Sequence, residues 1–184
     1  TTGSANTAVG RQTLSGNISG ASNTAVGFYA LSVNTGASNT AVGRNALLKN
    51  TASDNTAVGC GSLETNTTGT QNTAVGGCSL NANTSGANNV AIGVQALDSN
   101  TTANENVAVG RCSLFSNTEG TKNIAIGSYS LDTNSTGDSN IAIGYQALDA
   151  NNTADNNVAI GDSALKANTT GTRNTGIGTC ALNA

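Results

Sequence analysis

A short motif of alternating apolar and small positions recurs along nearly the whole chain. The segment Asn-Thr-Ala-Val-Gly at residues 6–10 returns ten more times, with the opening Asn spaced by 17 residues eight times and by 16 residues twice. Its second and fourth positions are β-branched and its third is Ala, which is typical of a half-buried strand. Each copy therefore predicts one coil of an all-β, parallel β-solenoid or β-roll.

The repeats predict one structural unit. Residues 1–184 form a single repeat array of eleven coils of 16–17 residues each. Numbering each coil from its opening Asn as position 1, the coils start at Asn6, Asn23, Asn39, Asn55, Asn72, Asn89, Asn106, Asn123, Asn140, Asn157 and Asn174. No second domain is expected, because the array covers nearly the whole chain.

Position 9 is Leu in every coil, which predicts that this column fills the interior. We expect a second short strand to end there, after a turn at the glycine of position 5. We also expect the Val/Ile column at position 4 to share that interior. The Leu column consists of Leu14, Leu31, Leu47, Leu63, Leu80, Leu97, Leu114, Leu131, Leu148, Leu165 and Leu182.

Position 3 is Ala in ten coils and Gly176 in the last. If Val/Ile point inward, the Ala column points outward, and its small size predicts a surface packed closely against another subunit. The alternative is a very thin roll in which Ala also faces inward. The predicted subunit interface consists of Ala8, Ala25, Ala41, Ala57, Ala74, Ala91, Ala108, Ala125, Ala142 and Ala159.

Two columns of asparagine run through the repeats, at positions 1 and 12. Stacking the coils in register, about 4.8 Å apart, lets each column form its own hydrogen-bond ladder. Stability then becomes a sum over neighbouring coils, which explains how a chain with only 2 Phe, 3 Tyr and no Trp or Met can fold.

The composition of the chain excludes several classes of catalytic site and of binding partner. The chain has no His, which excludes Ser-His-Asp triads, Cys-His pairs and His-containing zinc sites. Its net charge is −3 and its seven basic residues are scattered, which disfavours nucleic acid as a partner. The apolar runs are too short for insertion of this segment into a membrane. We expect no enzyme activity, with no catalytic residue, no cofactor and no metal site.

Positions 6 and 7 carry most of the variety of the chain, including aromatic and Arg residues of the kind that dominate binding hot spots. They predict a receptor-facing edge, and the alternative is that they are tolerated surface or inter-subunit positions. The edge consists of Phe28, Tyr29, Arg44, Arg111, Tyr129 and Tyr145, with Arg11 in the first coil. The same two positions hold the four cysteines, which we expect to be free thiols.

Two pairs of acidic residues stack in the predicted coils. Asp132 lies above Asp149 at position 10, and Asp138 above Asp155 at position 16. Paired carboxylates can attract a cation, although solvated acidic residues are the simpler interpretation.

The segments Asn89-Val90-Ala91-Ile92-Gly93 and Asn123-Ile124-Ala125-Ile126-Gly127 resemble the head repeats of YadA-like trimeric autotransporter adhesins. The resemblance extends over all eleven units, and the repeats are also similar to β-roll segments of bacteriophage tail fibres. It implies a left-handed β-roll, a homotrimer, and a location outside the cell, on a bacterial surface or a virion fibre. This chain differs from the head repeats in its longer units and in the Leu of every coil.

The main functional hypothesis is a non-enzymatic structural and attachment protein. A rigid β-roll segment of a cell-surface adhesin or phage tail fibre would mediate adhesion to a host receptor, whether protein or glycan. One alternative is an ice-binding (antifreeze) β-solenoid, because Thr7, Thr24 and Thr40 begin a stacked Thr column. The other alternative is a subunit of a self-assembling extracellular filament.

Overall fold

A computed structural model describes residues 2–183 and contains eleven β-strands, all parallel and hydrogen-bonded in chain order within one sheet. No helix occurs in that range. The strands, each of three residues, are β1 (Thr7–Val9), β2 (Thr24–Val26), β3 (Thr40–Val42), β4 (Thr56–Val58), β5 (Thr73–Val75), β6 (Val90–Ile92), β7 (Val107–Val109), β8 (Ile124–Ile126), β9 (Ile141–Ile143), β10 (Val158–Ile160) and β11 (Thr175–Ile177). The predicted all-β parallel solenoid is confirmed.

The register of the sheet follows the sequence repeat. Thr7 pairs with Thr24, Ala8 with Ala25 and Val9 with Val26, and the same columns pair through to β11. The two 16-residue spacings do not shift this register, because β2, β3 and β4 pair in the same columns. Each coil therefore lies on the next with like residues in contact.

The expected second strand is absent from residues 2–183, where each coil has one strand followed by turns. Every Leu of the Leu column has a positive φ, between 47° and 55°. The residues at position 7 are also left-handed, as in Tyr29 with φ 59° and Gln95 with φ 57°. Two left-handed residues so close together bend the backbone away from extended geometry, which is why no strand forms there.

The glycine at position 5 ends each strand in a conformation that other residues rarely adopt. Its φ lies between 122° and 141° in all eleven coils. The coils also approach closely here, since a Cβ atom added to Gly10 would lie 2.6 Å from the carbonyl oxygen of Gly27. Both effects require glycine at this turn.

The interior is formed by the Leu and Ala columns together. Leu31 and its equivalents through Leu148 are fully buried, as predicted, and so are Ala25 and its equivalents through Ala159. A Cβ atom added to Gly176, the last member of the Ala column, would lie 3.0 Å from Cγ of Leu165. Position 3 therefore points at the Leu of the interior.

The prediction that the Ala column faces outward as a subunit interface is wrong. Ala25, Ala41, Ala57, Ala74, Ala91, Ala108, Ala125, Ala142 and Ala159 have no exposed surface in a single chain, and only Ala8 of the first coil is exposed. The physical reason is the small cross-section of the coil. Once a Leu, a small residue at position 8 and two Asn side chains occupy it, the strand can contribute only a methyl group.

The Val/Ile column at position 4 consequently faces outward, contrary to expectation. Successive side chains of a strand point to opposite faces, so burying position 3 exposes positions 2 and 4. Ile92 is 41% exposed, Ile126 38% and Ile160 37%.

The two Asn columns form the predicted ladders, each in its own way. Along position 12, every Nδ2 from Asn34 to Asn168 donates to Oδ1 of the preceding coil's Asn, at 2.7–3.2 Å. The same Nδ2 atoms also donate to the carbonyl of a Gly or Ala two or three residues later. Both amide hydrogens of these buried side chains are therefore bound.

At position 1 the side-chain oxygen binds backbone instead. Each Oδ1 accepts the backbone N–H of the next coil's Asn at 2.9–3.0 Å, as Asn72 does from Asn89. From Asn6 to Asn140, Nδ2 donates to the same Gly/Ala carbonyl that the second column uses. Each of these carbonyls joins the two ladders.

These ladders predict the effect of Asn100→Asp. The carboxylate removes two donated hydrogen bonds and places negative charge beside Oδ1 of Asn83 and the carbonyl of Ala103. We expect the free energy of unfolding at pH 7 to fall by at least about 2 kcal/mol, because Oδ1 of Asn83 loses its donor and a buried charge faces two oxygens, although the Ala103 carbonyl keeps the donor of Asn89. Urea unfolding followed by circular dichroism measures it.

Asn156→Asp is the matched control. Asn156 is exposed with φ 59°, and Asp54 already occupies the equivalent place with φ 63°. We expect no measurable change. Equal losses in the two variants would show that the ladder is not what makes Asn100 important.

Candidate interaction surfaces

The outer face of the sheet carries the Val/Ile column that the sequence analysis expected in the interior. We define the sheet face as the side chains at positions 2 and 4 of the strands. In coils 6 to 10 both positions are β-branched and apolar. These ten side chains are Val90, Ile92, Val107, Val109, Ile124, Ile126, Ile141, Ile143, Val158 and Ile160, all half-buried or exposed in the single chain.

The sheet face changes chemistry along the rod. In coils 1 to 5 position 2 is Thr instead, so a Thr column runs beside the Val column. Thr7 and Thr24 are exposed, and Thr40, Thr56 and Thr73 are half-buried. Hydroxyl and methyl groups therefore alternate across a regular surface over five coils.

The predicted receptor-facing edge contains two clusters, each of one Arg and two aromatic residues. In the first, the guanidinium of Arg11 lies 5.7 Å from the ring centre of Phe28, and Phe28 packs edge-on against Tyr29 at 4.3 Å between ring centres. In the second, the guanidinium of Arg111 lies 5.3 Å from the ring centre of Tyr129. Tyr129 in turn packs edge-on against Tyr145, with 6.3 Å between ring centres.

Arg44 lies on the same edge but joins neither cluster. Its Nη2 donates to Sγ of Cys60 at 3.4 Å, and this hydrogen bond is the main cause that raises the pKa of the guanidinium. The structure thus brings five of the six predicted edge residues, together with Arg11, into two groups, and leaves Arg44 between them.

The cysteines are free thiols, as expected. Cys60, Cys78 and Cys180 are exposed and Cys112 is buried. Desolvation, with the neighbouring Asp98 for Cys78, raises the pKa of Cys78 and Cys112, so both are protonated at neutral pH. In residues 2–183 no three His, Cys, Asp or Glu side chains are grouped to hold a metal ion.

The Asp138 and Asp155 pair binds backbone. Oδ1 of Asp155 accepts the N–H of Asp138 at 2.7 Å, and Oδ1 of Asp138 accepts the N–H of Thr121 at 2.6 Å. Asn104 accepts the N–H of Ala87 in the same way. This column therefore fastens one coil to the next.

Asp132 is less well accommodated. Its Oδ1 is buried without a hydrogen-bond partner in the described part of the chain. Burial, and then the negative charge of Asp149 in the next coil, raise the pKa of Asp132. Burial also raises the pKa of Asp149, which Lys166 partly offsets.

The chain matches no protein-family model, and no curated protein or solved structure matches it. Between residues 2 and 183 there is no helix of the length and apolar character needed to cross a membrane. The likeness to adhesin repeats thus depends on the repeat motif of the sequence alone.

The geometry of Asp132 predicts a stabilising substitution. Ionisation of Asp132 is unfavourable in the folded state, which is why its pKa is raised. The folded protein therefore gains stability when Asp132 is protonated at low pH and loses that stability when Asp132 ionises at neutral pH. We expect Asp132→Asn to increase the free energy of unfolding at pH 7 by at most about 1 kcal/mol, because it removes the charge from a carboxyl with one buried, unpaired oxygen, and solvent around this half-buried side chain screens part of the effect. Thermal unfolding monitored at pH 7 and at about pH 4 measures the difference, which should shrink at the lower pH.

Asp155→Asn serves as the control for this experiment. The amide oxygen of the new side chain can accept the N–H of Asp138, as Asn104 already does for Ala87. We expect its unfolding temperature to equal that of the wild type at both pH values. A destabilised Asp132→Asn variant at pH 7 would contradict the argument.

Proposed function

We propose that the chain is a rigid, non-enzymatic attachment segment that acts as a homotrimer outside the cell, in a bacterial surface adhesin or a phage tail fibre. The observation that carries this proposal is the apolar sheet face. It runs through all eleven coils, over about 50 Å at the usual strand spacing, as one continuous column of Val and Ile.

A face of this kind favours burial against another protein surface. Contiguous apolar patches of such length are unusual on soluble monomers and mark interaction sites. A second and third copy of the same rod fit well, because every copy offers the same column at the same coil spacing and the contact can close into a ring. The resemblance to adhesin repeats, which form trimers, supports three copies.

Assembly through the sheet face is compatible with attachment. The edge with the Arg and aromatic clusters follows the glycine turn that ends each strand, so its residues lie off the face that three copies would share. Arg11, Phe28, Arg111 and Tyr145 are all exposed in the single chain. The trimer would then present the same edge three times around the axis of the fibre.

The proposal predicts the solution mass and its loss in one variant. We expect light scattering on a sizing column to give about 54 kDa for the wild type, three times 18.0 kDa. Ile126→Lys adds a charge to each copy at the shared surface, where Ile126 is 38% exposed in the single chain. We expect this variant to be a folded monomer of 18.0 kDa.

Val33→Lys is the matched control. Val33 is an exposed apolar residue at position 11, away from the sheet face, and coil 3 already has Lys49 at that position. We expect its mass to stay at about 54 kDa, three times 18.0 kDa. A wild-type mass of 18.0 kDa over a range of concentrations would contradict assembly through this face.

The Thr column supports ice binding as a second candidate function. Because coils 1 to 5 pair in register, they offer a regular array of hydroxyl and methyl groups on the outer face, beside the Val column. The Thr residues of this array are Thr7, Thr24, Thr40, Thr56 and Thr73. Such an array can order water in a repeating pattern, with spacings of about 4.8 Å along the rod.

Ice binding requires a free sheet face, and it therefore competes with trimer formation. We expect a monomer to lower the freezing temperature without changing the melting temperature, which opens a gap between the two. We expect Thr56→Lys to abolish that gap. Val33→Lys should leave it unchanged. Nanolitre osmometry measures both, and a trimeric wild type with no gap between freezing and melting excludes this function.

A further inference from the structure

The two clusters on the receptor-facing edge repeat one arrangement. Each has an Arg at position 6 whose guanidinium lies over an aromatic ring one coil further on, and a second aromatic ring packed edge-on against the first. The two Arg residues are six coils apart, or about 29 Å at the usual strand spacing. The rod therefore presents the same chemistry twice on one edge.

The arginines of the chain are concentrated along position 6, which we call the corner column. It holds three of the four arginines of the chain, Arg11, Arg44 and Arg111, and one acidic residue, Asp162. The column thus has a charge of +2, whereas the whole chain has −3. In residues 2–183 no side-chain or backbone acceptor binds the guanidinium of Arg11 or Arg111, so their donors face solvent.

The aromatic rings supply the second half of a binding site. Phe28, whose ring lies under Arg11, is 39% exposed, and Tyr145, which packs against the Tyr129 ring under Arg111, is 48% exposed. Each cluster therefore leaves an exposed ring near a cation whose donors are free. A guanidinium binds carboxylate or sulfate through paired N–H donors. The exposed ring surface packs against the C–H face of a sugar.

We propose that the corner column binds an acidic polysaccharide, with one charged sugar at each Arg–aromatic cluster. This inference rests on the proposed attachment function and names the class of receptor for it. A polymer long enough to reach both clusters gains affinity over a single sugar, because its second contact is intramolecular. Arg44 lies between the clusters and extends the cationic column.

The spacing of the cations favours a polysaccharide over nucleic acid. Double-stranded DNA carries a charge about every 1.7 Å and is bound by dense groups of Lys and Arg. The corner column offers three cations along about 29 Å, with Phe28 between the first two and Cys60, Gly77 and Val94 between the second and the third. Such sparse charge matches a polymer with one acidic group per sugar or per disaccharide.

The test measures binding to immobilised heparin, which is sulfated, hyaluronan, which is carboxylated, and dextran, which is neutral. We expect the wild type to bind one or both of the acidic polymers, not dextran, and to weaken as salt increases. Arg111→Gln should weaken binding about tenfold, the loss of one charge-assisted contact. The triple variant Arg11→Gln, Arg44→Gln, Arg111→Gln should abolish it.

Two further variants test the rings without disturbing the coil. Tyr145→Val introduces the residue that coil 6 has at the same position, Val94, and Tyr129→Gln introduces the residue that coils 1, 6 and 9 have there. We expect each to weaken binding about threefold or more. Arg173→Gln is the charge control, because Arg173 lies off the corner column and Gln71 occupies the equivalent position with the same φ of 58°.

The outcomes separate this inference from the proposed function. It is overturned if the wild type binds neither acidic polymer at low salt, if Arg173→Gln weakens binding as much as Arg111→Gln, or if duplex DNA binds more tightly through the same residues. The Ile126→Lys monomer, measured in parallel, should still bind the acidic polymer through its single corner column. Failure of the trimer therefore leaves polysaccharide binding intact, and failure of polysaccharide binding leaves the mass unchanged.

Discussion

The structure depends on the complete pairing of two columns of buried asparagine amides. Leaving one buried amide group unpaired costs about 1–3 kcal/mol, so two such columns are stable only when the coils stack in register. Here each Asn of the second column binds the preceding coil and a carbonyl of its own coil, as Asn83 does with Asn66 and Gly86. The ladders therefore fix the register of eleven coils with three-residue strands.

This pairing explains how a coil with one large apolar side chain can be stable. A fully buried Leu contributes about 1.5–3 kcal/mol, which alone cannot order 16 or 17 residues. The Leu also has a left-handed backbone, which costs about 1–2 kcal/mol. Hydrogen bonds between neighbouring coils must supply much of the remainder, and they cannot form in an isolated coil.

The repeat length, the position of the first strand in each coil, the Leu interior and the Asn ladders could be predicted, because each follows from one residue type at one position. The prediction of a second strand at the Leu column was wrong, since positions 7 and 9 have left-handed backbone. The side of the strand that faces inward could not be predicted from alternation alone. Val and Ile at position 4 are the usual residues of a core, and only the space left beside Leu and two Asn decides for Ala. The signal available in the sequence was the volume of the coil: one Leu per repeat, small residues at position 8 and Gly or Ala after the second Asn.

Because position 3 faces inward and position 4 outward, the candidate interface lies on the sheet face and not on the Ala column. The structure also separates two kinds of surface. Position 4 of the sheet face is uniform along the rod, since it is Val or Ile in every coil. The corner column varies from coil to coil, with Arg, aromatic, Cys and small residues at one position. A uniform column suits contacts that every coil makes with an identical neighbour, whereas a varied column suits recognition at particular places. On a solenoid, in which each position extends along one line, these two roles can be held by one chain without interfering, because the glycine turn after each strand separates them.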